Sequence, residues 1–189
     1  MNRKANRYKT YNYSSSGYYF VTICTKDRLS FFGKIEDGKM ILNECGKIVR
    51  ERWLWLQDQY NYIKYGEHAI MPNHFHGILI IDTVGTGRDL SFNPSNNNGL
   101  DHAPKGNNII RTGRDLSLQK IKPLSELIGA FKATSSKLIH QTGLNEFRWQ
   151  RSFYDHIIRN ESSLNNIRDY IIKNSLNWDT DKNNLQFNP

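Results

Sequence analysis

An α+β domain, one antiparallel sheet covered by amphipathic helices, is the fold class this 189-residue chain predicts. Three observations lead there. Short runs rich in β-branched and aromatic residues come in pairs split by turn residues, which implies hairpins. Three other stretches repeat apolar residues at helical spacing. A polar tract at 84–119 interrupts the pattern once, as an inserted loop rather than a second core. The boundaries that follow are a basic arm at 1–17, one catalytic-sized domain at 18–182 and a tail at 183–189.

The arm interleaves Arg3, Lys4, Arg7 and Lys9 with Tyr8, Tyr11 and Tyr13, a pattern that suits a phosphate backbone and unstacked bases. Residues 18–25 (Tyr-Tyr-Phe-Val-Thr-Ile-Cys-Thr) read as the first strand. Residues 32–35 and 39–42 flank Glu36-Asp37-Gly38, a hairpin turn signal. Asn43 then caps a helix at 44–60, whose inner stripe is Ile48, Val49, Trp53 and Leu56. Residues 62–71 and 74–82 are adjacent strands joined at Pro72-Asn73, and so short a joint makes them antiparallel. Within the polar tract Thr-Gly-Arg-Asp-Leu-Ser occurs twice, at 86–91 and 112–117; two copies are too few for a solenoid. Pro123 suits a helical first turn, and Leu124, Leu127, Ile128, Phe131, Leu138 and Ile139 supply the stripe up to Gly143. Residues 147–159 read as an extended segment and a strand. Asn160 caps a final helix at 161–174, with Leu164, Ile167 and Ile171 facing inward.

Lys and Arg number 26 against 18 Asp and Glu, a formal charge of +8 with a pI near 9.5. That surplus favours a polyanionic partner, and the 12% aromatic content provides rings on which unpaired bases stack. Cys24 and Cys45 are too few for a disulfide framework. No apolar run approaches the roughly 20 residues of a spanning helix, and the basic N-terminus has no hydrophobic segment behind it. The expectation is a cytoplasmic protein that does not engage membranes.

Chemistry concentrates at residues 69–81, Ala-Ile-Met-Pro-Asn-His-Phe-His-Gly-Ile-Leu-Ile-Ile. Alternate residues of a strand share a face, so His74 and His76 point one way and Phe75 the other. Two neutral imidazoles side by side are half of a metal site, although an isolated strand pair is more often simply hydrogen-bonded. Gly77 reads as room for the close approach of a ligand or backbone.

Tyr170 and Asn174 stand one helical turn apart on the edge of the last helix. Packed across the face of His74 and His76, that helix would assemble a phenol nucleophile with three neutral ligands, His74, His76 and Asn174. Such a set suits Mg²⁺ or Mn²⁺ in contact with phosphate. In-line attack by the phenol would leave the protein joined to DNA and a 3′ hydroxyl free. Lys132 lies off the stripe of its helix, where it could touch phosphate. Trp149, Arg151, His156 and Arg159 are further candidate DNA contacts.

These residues resemble the REP-associated tyrosine transposases, a branch of the HUH single-strand transposases, in which two histidines flank a hydrophobic residue. The resemblance is carried by Met-Pro-Asn-His74-Phe75-His76, by Tyr11-Asn12-Tyr13 before Tyr19-Phe20-Val21-Thr22, by Phe32-Gly33 with Leu42-Asn43, by Phe131-Lys132 and Trp149-Gln150-Arg151, by residues 156–160, and by Asp169-Tyr170-Ile171 with Asn174 and Trp178. It covers nearly the whole chain outside 84–119. It implies a ferredoxin-like fold, Tyr170 as nucleophile, His74 and His76 as metal ligands, and Asn174 at the third-ligand position, where related insertion-sequence enzymes carry Gln. Ser175 departs from the Asn-Pro that family members often show there. The implied substrate is single-stranded DNA at palindromic repeat hairpins, with the arm reading a guide sequence, and the implied assembly is a monomer or a homodimer. Two rival readings stay open: an inactive hairpin-DNA-binding protein, and a metal-dependent phosphodiesterase that uses water.

Overall fold

The structure, a computed structural model, describes residues 11–82 and 120–185. The expectations for Arg3 and Arg7, for most of the arm and for the loop at 84–119 fall outside the described residues.

The apolar, β-branched runs form a four-stranded antiparallel sheet from β1 (Gly17–Cys24), β4 (Ile63–Met71), β5 (His74–Ile81) and β6 (Tyr154–Ile158), in the order β4-β5-β1-β6. A separate hairpin, β2 (Gly33–Glu36) and β3 (Lys39–Leu42), precedes α1 (Glu44–Gln59). Helix α2 (Leu124–Gln141) links β5 to β6, and α3 (Glu161–Lys173) follows. Without the small hairpin and α3, the succession β1-α1-β4-β5-α2-β6 with this strand order is the ferredoxin-like split βαβ arrangement. The α+β class and the central antiparallel sheet follow the sequence reading.

Local chemistry explains the element ends. The Asn43 side chain accepts from the Gly46 N–H and that of Asn160 from the Ser163 N–H, so each satisfies an orphan donor at its helix start. Pro123 is at the N-cap of α2 rather than inside its first turn. Asp37 and Gly38 both take positive φ, 50° and 70°, which is the turn Asp-Gly announces. Two short 3-10 segments, Lys26–Arg28 and Ser175–Thr180, carry no periodic apolar signal and were not legible.

Helices α1 and α2 cover one face, burying Tyr19, Val21, Ile23, Trp53, Phe75, Leu79 and Phe131. Helix α3 covers the other through a smaller cluster of Phe20, Ile78, Ile158, Leu164 and Ile171. Each such side chain contributes about 1.5–3 kcal/mol when fully buried. Arg168 adds a tie from α3 to Glu67 of β4 at 3.0 Å. Gly77 serves a purpose other than the expected one. A Cβ there would lie 2.7 Å from the Phe75 ring and 2.8 Å from Trp53, so its bareness admits core aromatics and not a ligand.

Candidate metal centre and tyrosine

His74 and His76 open β5 on the face that α3 covers, while Phe75 packs into the other side, with its ring centroid 4.6 Å from that of Trp53. Both imidazoles are buried, at 0% and 2% exposure, and their centroids are 4.5 Å apart. Each is anchored through Nδ1. That of His74 meets Asn73 Oδ1 at 2.8 Å, and that of His76 meets the hydroxyl of its cross-strand partner Thr22, also at 2.8 Å. His74 Nε2 is buried without a hydrogen-bond partner.

Leu164 and Ile171 seat α3 so that Tyr170 falls at the rim of this face, with its phenol oxygen 3.2 Å from His76 Nε2 and its ring edge-on to Phe20. One turn later Asn174 is buried beside both His74 and Tyr170, and its Oδ1 has no partner. The 3-10 segment Ser175–Thr180 then turns the chain back and delivers a group that sequence reasoning missed. Asp181 Oδ2 lies 3.8 Å from His74 Nε2, and the Asp181 side chain is only 7% exposed. No local signal separated Asp181 from Asp179, because its placement depends on a turn without periodicity.

Burial dominates the electrostatics. It pushes the His74 pKa down to about 4 despite the Asp181 carboxylate, which pulls the other way. His76 is also well below the ordinary value, through burial first and then His74 and Lys182. Both rings are therefore neutral at pH 7, so His74 and Asp181 form no ion pair. The Tyr170 phenol is held above its usual value, mainly by burial and then by Asp181, with Asn174 partly opposing. It rests protonated.

A cavity of about 700 Å³ opens onto the phenol, lined among others by Phe20, Tyr154, His76 and Asp181, with Arg28 and Lys182 as its cations. That volume suits a nucleotide-sized ligand.

The donor set fits a divalent cation. His74, His76 and Asp181 offer ligand atoms that all lie within 4.8 Å of one another. The unpartnered His74 Nε2 and Asn174 Oδ1 are buried polar atoms of the kind a bound ion satisfies. The set expected from sequence was all neutral; the fold adds one carboxylate, which favours a hard cation.

The remaining candidates are spread more widely. Lys132 Nζ donates to the carbonyls of Gln150, Arg151 and Ser152, tying α2 to the segment entering β6. Trp149 donates from Nε1 to Ser135 Oγ at 3.0 Å and packs on Phe32, Phe131 and Phe147. Arg151, His156 and Arg159 are exposed. His156 lines a second depression with Phe20, Tyr154 and the start of α3. Asn183 and Asn184, counted with the tail, are buried. No helix among the described residues is long and apolar enough to cross a membrane.

No known protein-family model matches the chain. An uncharacterised protein of Haemophilus influenzae is 32% identical over 181 residues, 95% of this chain and 92% of that protein. Among solved structures, a REP-associated tyrosine transposase bound to a REP hairpin superimposes with a TM-score of 0.50 at 18% identity, over 90% of this chain and 72% of that one. The chain belongs to one family with the Haemophilus influenzae protein, and its fold is that of a REP-associated tyrosine transposase.

Proposed function

We propose that this protein is a metal-dependent single-strand DNA endonuclease and strand transferase, acting at palindromic repeat hairpins through a covalent 5′-phosphotyrosine link. The observation that carries the reading is the phenol of Tyr170 standing 3.2 Å from one of two anchored, neutral imidazoles beside a buried carboxylate. The solved structure of like fold, bound to a REP hairpin, supports the choice of substrate.

His74, His76 and Asp181, with Asn174 beside them, would hold Mg²⁺ or Mn²⁺. When bound, the ion supplies charge neutralisation at a non-bridging phosphate oxygen. Tyr170 Oη forms a bond to phosphorus as the P–O3′ bond breaks; the phenolic proton passes to solvent in the open cavity and the departing 3′ oxygen takes one up from solvent, so no net proton is consumed. Reversal on a new 3′ hydroxyl reseals the strand without an external energy source. Phe20 and Tyr154 offer rings beside the reacting phosphate, and Arg28 and Lys182 supply positive charge in the same cavity. The DNA contacts proposed for Arg151, His156 and Arg159 rest on their exposure, with His156 lining the second depression, and those of Arg3 and Arg7 on the composition of the arm. Lys132 and Trp149 would act by shaping the approach to β6.

The test is an end-labelled single strand carrying a palindromic hairpin, incubated with protein and Mn²⁺ and resolved under denaturing conditions. The expected result is cleavage with a protein-linked product, absent in Tyr170→Phe. Cleavage without linkage would favour the water-using phosphodiesterase, and a mobility shift without cleavage the inactive binder.

A further inference from the structure

Asn73, 1% exposed in the turn between β4 and β5, has no part in the reaction above, yet its amide is fully engaged. Nδ2 donates to the carbonyls of Arg28 at 3.0 Å and Asn183 at 2.7 Å, and Oδ1 lies 2.8 Å from His74 Nδ1. Carbonyl oxygens only accept, so these two fix which end of the amide is nitrogen. Oδ1 in turn only accepts, so the His74 proton must sit on Nδ1. That leaves the Nε2 lone pair facing Asp181 and the metal position. Thr22 cannot impose the same choice on His76, because a hydroxyl both donates and accepts.

The same amide reaches the carboxylate from the other side. The Asn183 N–H donates to Asp181 Oδ1 at 2.7 Å, and Asp181 Oδ2 is the oxygen near His74 Nε2. A run of hydrogen bonds results, from His74 Nδ1 through Asn73 and the Asn183 backbone to Asp181, whose Oδ2 faces the unpartnered His74 Nε2 across 3.8 Å. Asn73 also holds the carbonyl of Arg28, where Asp27 and Arg28 both adopt left-handed φ of 55° and 54°. L residues avoid that region, so such a loop persists only when its surroundings over-determine it.

We propose that Asn73 is the positioning residue of this centre: one amide sets the tautomer of His74 and holds the Asp181 carboxylate opposite its free nitrogen. The proposal rests on the reading of His74, His76 and Asp181 as a metal site. A merely structural turn asparagine would affect stability without deciding which imidazole nitrogen carries the proton.

The experiment uses the full chain, metal-free and with ¹⁵N-labelled histidine, to assign the His74 tautomer by NMR in the wild type, Asn73→Ala and Asn73→Asp. Mn²⁺ titration by electron paramagnetic resonance follows on the same samples. The expected wild-type form carries the proton on Nδ1. Asn73→Asp, whose carboxylate can still accept from Nδ1 but cannot donate to the Arg28 and Asn183 carbonyls, keeps the Nδ1 proton and loses the hold on Asp181; Asn73→Ala gives a mixture. Mn²⁺ affinity should fall about 10–100-fold in Asn73→Ala. A wild-type His74 protonated on Nε2 overturns the proposal even if the alanine variant fails to fold. So does an alanine variant with unchanged tautomer and unchanged Mn²⁺ affinity. A wild type that shows the Nδ1 form but binds no Mn²⁺ sinks the metal reading, while the tautomers still decide whether Asn73 governs His74.

Discussion

Tyr170 Oη and His76 Nε2 are 3.2 Å apart although 94 positions separate the two residues, and both belong to one chain. A helix docked by Leu164 and Ile171 meets a strand opening here, so one subunit carries both halves of the proposed site. Mixing Tyr170→Phe with His76→Ala is therefore expected to restore no DNA cleavage. Recovery approaching a quarter or more of wild-type activity would mean that the tyrosine serves a partner's histidines.

Removing Asn174 should separate binding from stability. Its Oδ1 is buried without a partner, a condition that costs about 1–3 kcal/mol. In metal-free protein, Asn174→Ala should thus change unfolding free energy by less than about 1 kcal/mol, because relief of that cost offsets the small cavity left behind. Mn²⁺ should then stabilise the wild type more than the variant, since only an ion bound to the folded state shifts its melting. Equal shifts at matched Mn²⁺ concentration would remove Asn174 from the ligand set.

Acid should weaken the fold over a defined range. His74 titrates near pH 4 when folded and about 6.5 when unfolded, so between these values the unfolded chain takes up a proton that the native state refuses. Stability is intact above pH 6.5 and declines as pH falls toward 4, by on the order of 3 kcal/mol from His74. His76 acts in the same direction. Urea midpoints between pH 8 and 4.5 provide the measurement; His74→Gln should flatten the profile in part, because His76 and His68 remain, and an undiminished slope would take the loss away from this ring.

Gly77 tests the packing behind the histidines. A methyl group there would collide with Phe75 and Trp53, so Gly77→Ala is expected to cost about 1–3 kcal/mol in chemical denaturation. An unperturbed stability would show that the aromatic layer yields freely.

Much of this arrangement was legible because period and cap chemistry decide it locally. The alternation around Phe75 placed both imidazoles on one face, and Asn43 and Asn160 marked two helix starts. The four-residue spacing of Tyr170 and Asn174 put both on the edge of α3 that meets the histidines. What escaped depends on tertiary return of the chain. Asp181 arrives through the 3-10 segment Ser175–Thr180, and Gly77 is explained by a tryptophan 24 positions away on α1. The ordinary reading of a glycine beside a site, room for a ligand, was the wrong one here because Gly77 shares the face of Phe75 and not of the histidines.

Attack on phosphorus by the Tyr170 phenol would leave a covalent adduct, read by mass spectrometry of proteolytic peptides from protein incubated with hairpin-bearing single-stranded DNA and Mn²⁺, followed by nuclease trimming. The expected result is a nucleotide joined through a phosphodiester to Tyr170. DNA linked to another residue, or a product with a free 5′ phosphate and an unmodified Tyr170 peptide, would contradict it.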